Sequence, residues 1–323
     1  MFCIILYHLI IFFVEPNSHH VFWKAIQIPL HSGVIIFILI SGYFGIRTSL
    51  KGIINIIFTL FLIYYPLETV RHLIDPTIEW KNSIMCLTRG PYWFILQYLI
   101  LYLLSPILNL AVEKSKNLHI YTLVVLGIIT YYGGLVGPEI QMINGKNIFL
   151  FSFLYMFGRY INIYKTLPIK LGSFKHAIIT YLAMNVLLIS AFIIVDEQLI
   201  RNLIIKLFFT YPSVGLLGIS LLLFASFEQI NITSSFINSF SKSTLSMYIF
   251  HHHPLMLNVL YAPIIAHLTG KIGYGSLLMV SLILLTITTM IVSWGGYKII
   301  GLPLSKIQSF FKRHNNDFLE FIK

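Results

Sequence analysis

Three consecutive histidines, His251, His252 and His253, stand near the end of the segment STLSMYIFHHHP at 243–254, inside a long apolar run. An imidazole in a hydrocarbon layer is costly, and ionisable groups placed there commonly line a site or a pathway. Tyr248 and His252 are spaced to share one helix face. Pro254 has no N–H to donate to the carbonyl of Phe250, so a kink is predicted beside them. Consecutive histidines point in different directions around a helix, whereas helix-borne metal ligands stand at i and i+4, as in HExxH; no metal site is expected.

His8 is a second histidine in apolar surroundings, in the run from Phe2 to Val14. It is read either as a core histidine bonded to a neighbouring helix or as a general base whose neutral ring takes a proton from a hydroxyl substrate. Another run, YWFILQYLILYLLSPILN, carries Tyr98, Tyr102, Ser105 and Asn109. At about 100° per residue these fall within about 60° of one another, a polar stripe that should face the bundle interior. Interhelical hydrogen bonding and substrate contact both account for it. Tyr92 and Trp93 at its start suit interfacial anchors.

Ser41 and Gly42 lie in GVIIFILISGYFGIR, where small residues allow close helix packing. Arg47 and Lys51 follow, and Arg159, Lys165, Lys170 and Lys175 border the same predicted face of the membrane, so a nucleotide-like anion could dock there by charge-assisted bonds. Membrane topology explains those charges equally well. Glu15 and Glu68 are candidates to orient a histidine or are simply solvated; Arg71 and His72 are assigned to an exposed loop, and Lys206 to an interfacial position reached by snorkelling.

These groups must be held by membrane helices. The 323 residues are 57% hydrophobic and 10% charged, with mean hydropathy +0.84, far below the roughly 25% charge of soluble domains. Ten apolar runs are read as spans: 2–14, 30–46, 52–70, 92–112, 118–136, 148–163, 177–195, 203–224, 245–265 and 275–294. Most last roughly 16 to 22 residues, enough to cross a core of about 30 Å. The expectation is an all-α polytopic bundle of about ten transmembrane helices, a single domain over 1–323, with no room for a second soluble domain. Starting the first helix in the cytoplasm puts most of the 22 Lys and Arg on that side, so both termini are predicted cytoplasmic. The net charge of +11 is thereby explained without nucleic acid. The tail 298–323 suits either an amphipathic interfacial helix or a plain charged tail. The first run, about 21 Å at most, is short for a span and reads as truncated. Cys3 and Cys86 are too few for a disulfide framework. Walker, dinucleotide-binding, GxSxG and HExxH motifs do not occur, which argues against enzymes of those designs.

Taken in order, ILYH ending at His8, IFILISGYFG at 36–45, the run from Tyr92 to Asn109 and STLSMYIFHHHP resemble the acyltransferase-3 family of membrane acyltransferases, particularly its bacterial polysaccharide O-acetyltransferase branch. The resemblance implies transfer of an acyl, usually acetyl, group from acyl-CoA to a sugar hydroxyl of an envelope glycan or lipid-linked precursor, at the bacterial inner membrane. It implies His8 as the leading catalytic residue. A basic residue that the family carries about eleven positions ahead of that histidine would fall before Met1, in keeping with a truncated start. Also carried over are Ser41, Gly42 and Tyr43, Trp93 and Asn109, and Tyr248 with His252. The resulting expectation has His8 as base, Tyr248 or His252 as oxyanion donor, Ser41, Arg47 and Lys51 toward acyl-CoA, and Trp93, Tyr102 and Asn109 toward the acceptor. A covalent acyl-histidine relay is the alternative chemistry. A transporter or flippase using the histidines as a proton relay is the rival function, and a structural scaffold the third.

Overall fold

The computed structural model describes residues 1–18, 21–78, 92–136, 146–165, 174–195, 197–208, 210–228, 230 and 232–314, and the side chains of these except at 132–136 and 301–314. The described residues hold no strand. Helices run α1 Phe2–Leu9, α2 Val21–Ala25, α3 Gln27–Phe44, α4 Leu50–Ile74, α5 Trp93–Lys114, α6 Lys116–Val136 and α7 Ile148–Tyr164. They continue as α8 Phe174–Ile194, α9 Gln198–Phe208, α10 Val214–Glu228, α11 Ser235–Lys242, α12 Thr244–His251, α13 Ala262–Ile272 and α14 Ser276–His314. Cys86, Arg89, Pro91 and Lys170 lie outside the described residues, as do the side chains that would make the tail amphipathic. Its backbone continues α14 as helix to His314.

Among the described residues five helices are long and apolar enough to cross a bilayer: Val21–Phe44, Leu50–Ile74, Trp93–Lys114, Phe174–Ile194 and Ser276–Ile300. A bent pair, Thr244–His251 with Met256–Ile272, makes up to six, and Phe2–Asn17, Ile148–Tyr164 and Val214–Glu228 are shorter apolar helices. The chain is an integral membrane protein, and the regular structure of its described residues is all helical.

One expected span is corrected. The run 203–224 is not one helix but the end of α9 and most of α10, parted by a turn at Tyr211–Ser213. Pro212 has no amide hydrogen with which to continue a helix, and Ser213 starts a new one, its Oγ accepting from Leu216 N at 3.3 Å. Apolarity is continuous across the break, so hydropathy alone reads it as a single element.

The chain divides into two compact units, one of Met1, Thr48–Trp93 and Thr233–Lys323, the other of Phe2–Arg47 and Phe94–Ile232. In the second, α3 crosses α7 at two glycines. A Cβ on Gly42 would stand 2.2 Å from the carbonyl oxygen of Tyr155, and one on Gly158 would stand 2.3 Å from that of Leu39. Lipid offers little hydrophobic drive for helices to associate, so close backbone approach and the contacts it permits hold such a crossing. Ile28, Tyr181, Ile219 and Leu222 join α3, α8 and α10 in a buried cluster, and Ala25, Phe192 and Ile204 join α2, α8 and α9 in another. In the first unit α4, α12 and α14 pack together.

Candidate active site

The second unit carries His8 at the end of α1. The helix passes there directly into a π-helical stretch, Ile10–Val14, a geometry that recurs at functional sites. The ring of His8 is half-buried, stacked on Phe12 with centroids 5.4 Å apart and 5.6 Å from Tyr7. Tyr7 leads to a buried histidine that sequence reasoning missed: its ring centroid is 4.3 Å from that of His31, which meets Tyr211 at 5.2 Å. His31 stands near the start of an apolar run, and the rule that drew attention to His8 would have found it.

The polar stripe of α5 has a defined target in the same unit. α3 ends at Gly45, whose φ of 75° suits glycine, and the chain emerging from it is clamped. Tyr155 Oη accepts from Ile46 N at 3.0 Å and donates to Asn109 Oδ1 at 2.8 Å. Asn109 Nδ2 donates to the carbonyl of Ile46 at 3.2 Å, and Tyr102 Oη to that of Arg47 at 3.1 Å. Tyr98 and Ser41 hydroxyls are 3.4 Å apart, while Ser105 bonds back to Tyr102 O in its own helix. Asn162 Nδ2 holds the carbonyl of Tyr43 at 2.6 Å. The guanidinium of Arg159 lies over Gly45, where a Cβ would come within 2.6 Å of its Nη1. Arg47 itself is exposed. Tyr155, the centre of this knot, was not singled out by sequence, because an aromatic in an apolar run carries no signal of its own.

The first unit holds Lys51, exposed in the first turn of α4, half-buried Trp93, and the histidine triplet. α12 ends at His251, and the two halves of its span meet at a bend of 65°, where Pro254 was expected to kink it. A second π-helical stretch, Met256–Tyr261, follows, so each of the two candidate histidine regions leads into π geometry. The three rings do point apart. His251 Nδ1 bonds the carbonyl of Met247 at 2.7 Å. His252 stacks on Tyr248 with centroids 5.9 Å apart and an interplanar angle of 27°, and lies 6.2 Å from the ring of Tyr92, whose hydroxyl donates to the carbonyl of Ile249 at 3.0 Å. His253 faces α4, where Tyr64 meets its ring at 4.9 Å and Glu68 Oε2 lies 3.2 Å from its Nε2. That approach is oblique to the N–H, a close electrostatic contact rather than an aligned hydrogen bond.

The assignment of Arg71 and His72 to an exposed loop is corrected here. α4 continues to Ile74, Glu68 is fully buried, and its Oε1 accepts from Arg71 Nη1 at 2.7 Å with His72 Nε2 at 3.7 Å. The i, i+3 and i, i+4 spacing of these three residues was legible in sequence. Among the described residues no group of three His, Cys, Asp or Glu side chains is arranged to hold a metal ion.

Residues 1–298 match the family model Acyl_transf_3, described as an acyltransferase domain. The chain belongs to the acyltransferase-3 family. No curated protein and no solved structure matches it. Membership of this family gives the chain a reaction class, acyl transfer.

Proposed function

We propose that this membrane acyltransferase is an O-acetyltransferase, moving an acetyl group from acetyl-CoA to a sugar hydroxyl of a cell-envelope or exported polysaccharide or its lipid-linked precursor. The family match over residues 1–298 carries the reading. The proposed setting is the bacterial inner membrane, with both termini in the cytoplasm. His8 is the proposed base: its ring nitrogen takes the hydroxyl proton, the oxygen attacks the thioester carbonyl, and the thiolate of CoA leaves with the acetyl group now on the sugar. Tyr248 Oη and a ring N–H of His252 are the candidate donors to the oxyanion. Arg47, with Lys51 and Ser41, is assigned to acyl-CoA, and its exposed guanidinium suits phosphate. Trp93 is assigned to the acceptor. Tyr102 and Asn109 bond the backbone at 46–47, so their part in the reaction is to fix the loop that carries Arg47.

The test is CoA release from acetyl-CoA by the purified protein, with and without glycan extracted from the source cells. Release that depends on the glycan is expected, and His8→Gln should lower it at least about a hundredfold, the low end for a general base. Undiminished transfer by His8→Gln at equal expression would overturn the role of His8; absence of glycan-dependent release from wild type would overturn the reading itself.

A further inference from the structure

The buried Glu68 carboxylate is placed among basic groups in a way that the reaction chemistry does not require. Fully buried on α4, it receives Arg71 on Oε1 and sets Oε2 against the Nε2 of an equally buried histidine, His253. A carboxylate in such surroundings is tolerated only when paired, so the arrangement has a structural cost that something must justify.

The opposite edge of His253 supplies the reason. Its Nδ1 accepts the backbone N–H of Leu255 at 3.1 Å, just beyond Pro254, where the bend has taken that amide out of the regular helical ladder. An Nδ1 that accepts leaves the ring proton on Nε2, the nitrogen facing Glu68. His253 thus ties the bend on one side and α4 on the other, with Tyr64 against its face one turn before Glu68. The neighbouring ring, His252, sits on Tyr248. Its direction depends on where the bend falls.

We infer that Glu68 and His253 form a positioning clip: the carboxylate orients His253, His253 fixes the bend between α12 and the π-helical stretch, and the bend aims His252 and Tyr248. The inference rests on the proposed assignment of His252 and Tyr248 to the reaction. His253 is therefore a positioning residue, with both ring nitrogens engaged, and not a catalytic one. Arg71, and more distantly His72, complete the charge around the carboxylate.

Two substitutions of His253 separate the halves of the clip. In His253→Asn, Oδ1 can still accept the Leu255 amide but the side chain is too short to reach Glu68; in His253→Gln, the amide nitrogen reaches Glu68 but the cap is lost. Positioning predicts that Glu68→Leu, His253→Asn and His253→Gln each lower kcat for acetyl transfer about tenfold or more while KM for acetyl-CoA stays within twofold. The double variant of Glu68→Leu with His253→Asn should be no worse than the poorer single variant, because both cut one link. Glu68→Gln, which keeps an acceptor oxygen toward the ring, should recover part of the loss. Single-variant losses that multiply in the double variant, a KM change equal to the kcat change, or wild-type kcat in His253→Asn would each overturn the clip. A readout independent of turnover is nitrogen NMR on the histidine-labelled full-length protein in detergent. The His253 ring should report the Nε2–H tautomer and lose that signature in Glu68→Leu. An unchanged His253 signal would sink the inference; a changed one in a protein without acetyl transfer would support the clip while the proposed function failed.

Discussion

The crossing of α3 and α7 offers the sharpest prediction, because its geometry gives a magnitude. An alanine Cβ at 158 would stand 2.3 Å from Leu39 O, 2.8 Å from Tyr43 N and 3.1 Å from Gly42 C. Unstrained carbon–oxygen contacts begin near about 3.3 Å, so Gly158→Ala is short by about 1 Å against atoms that belong to backbone and cannot rotate away. The helices must part by roughly that amount. Overpacking of this kind costs about 1–3 kcal/mol. Separation also strains two bonds that cross the seam, Ile46 N to Tyr155 Oη and Asn162 Nδ2 to Tyr43 O, each worth about 1 kcal/mol. A total loss of about 2–4 kcal/mol is expected, read as the shift in an SDS-titrated unfolding curve of the protein in mixed micelles. Gly42→Ala, whose Cβ would meet Tyr155 O at 2.2 Å, should cost a similar amount. The double variant should cost less than the two together, because one separation relieves both clashes. Gly218→Ala is the internal control: on α10 nothing lies within 4 Å of its Cβ, so the change should be neutral or stabilise by up to about 1 kcal/mol through helix propensity. If Gly158→Ala unfolds at the same SDS fraction as Gly218→Ala, the glycine-seam argument is wrong.

Tyr155→Phe removes the acceptor of Ile46 N and the donor to Asn109 Oδ1 together, and should destabilise by about 1–3 kcal/mol in the same assay. The segment at 45–47 should also become more open to proteolysis, and a variant cleaved no faster than wild type would count against the clamp. Tyr102→Phe deletes only the bond to the Arg47 carbonyl, so a smaller loss, about 1 kcal/mol, is expected in the same assay. Pro254→Ala restores a backbone donor at the bend; the span should straighten in part, and acyl transfer should fall with little change in stability. Distance measurement between spin labels at either end of 244–272 would show whether the 65° angle has opened.

From sequence alone, the membrane class, the helical architecture and the family were legible, for reasons of composition and period. A chain 57% hydrophobic with runs of bilayer length has few alternatives to membrane helices, since only helices and closed barrels satisfy the backbone in lipid. Pro254 between the triplet and the next apolar stretch likewise announced a bend before any coordinates did. Tertiary structure alone decided the partners. Tyr98, Tyr102, Ser105 and Asn109 were visible as a stripe, yet only the fold shows that Tyr102 and Asn109 hold the backbone leaving α3, because hydrogen bonds between elements distant in sequence leave no trace in either one. Glu68 was legible as a carboxylate that either orients a histidine or is solvated, and only packing decided between the two by burying it and bringing His253 to its side. The break at Pro212 was hidden by unbroken apolarity, since hydropathy measures transfer free energy and is blind to where the backbone runs out of donors.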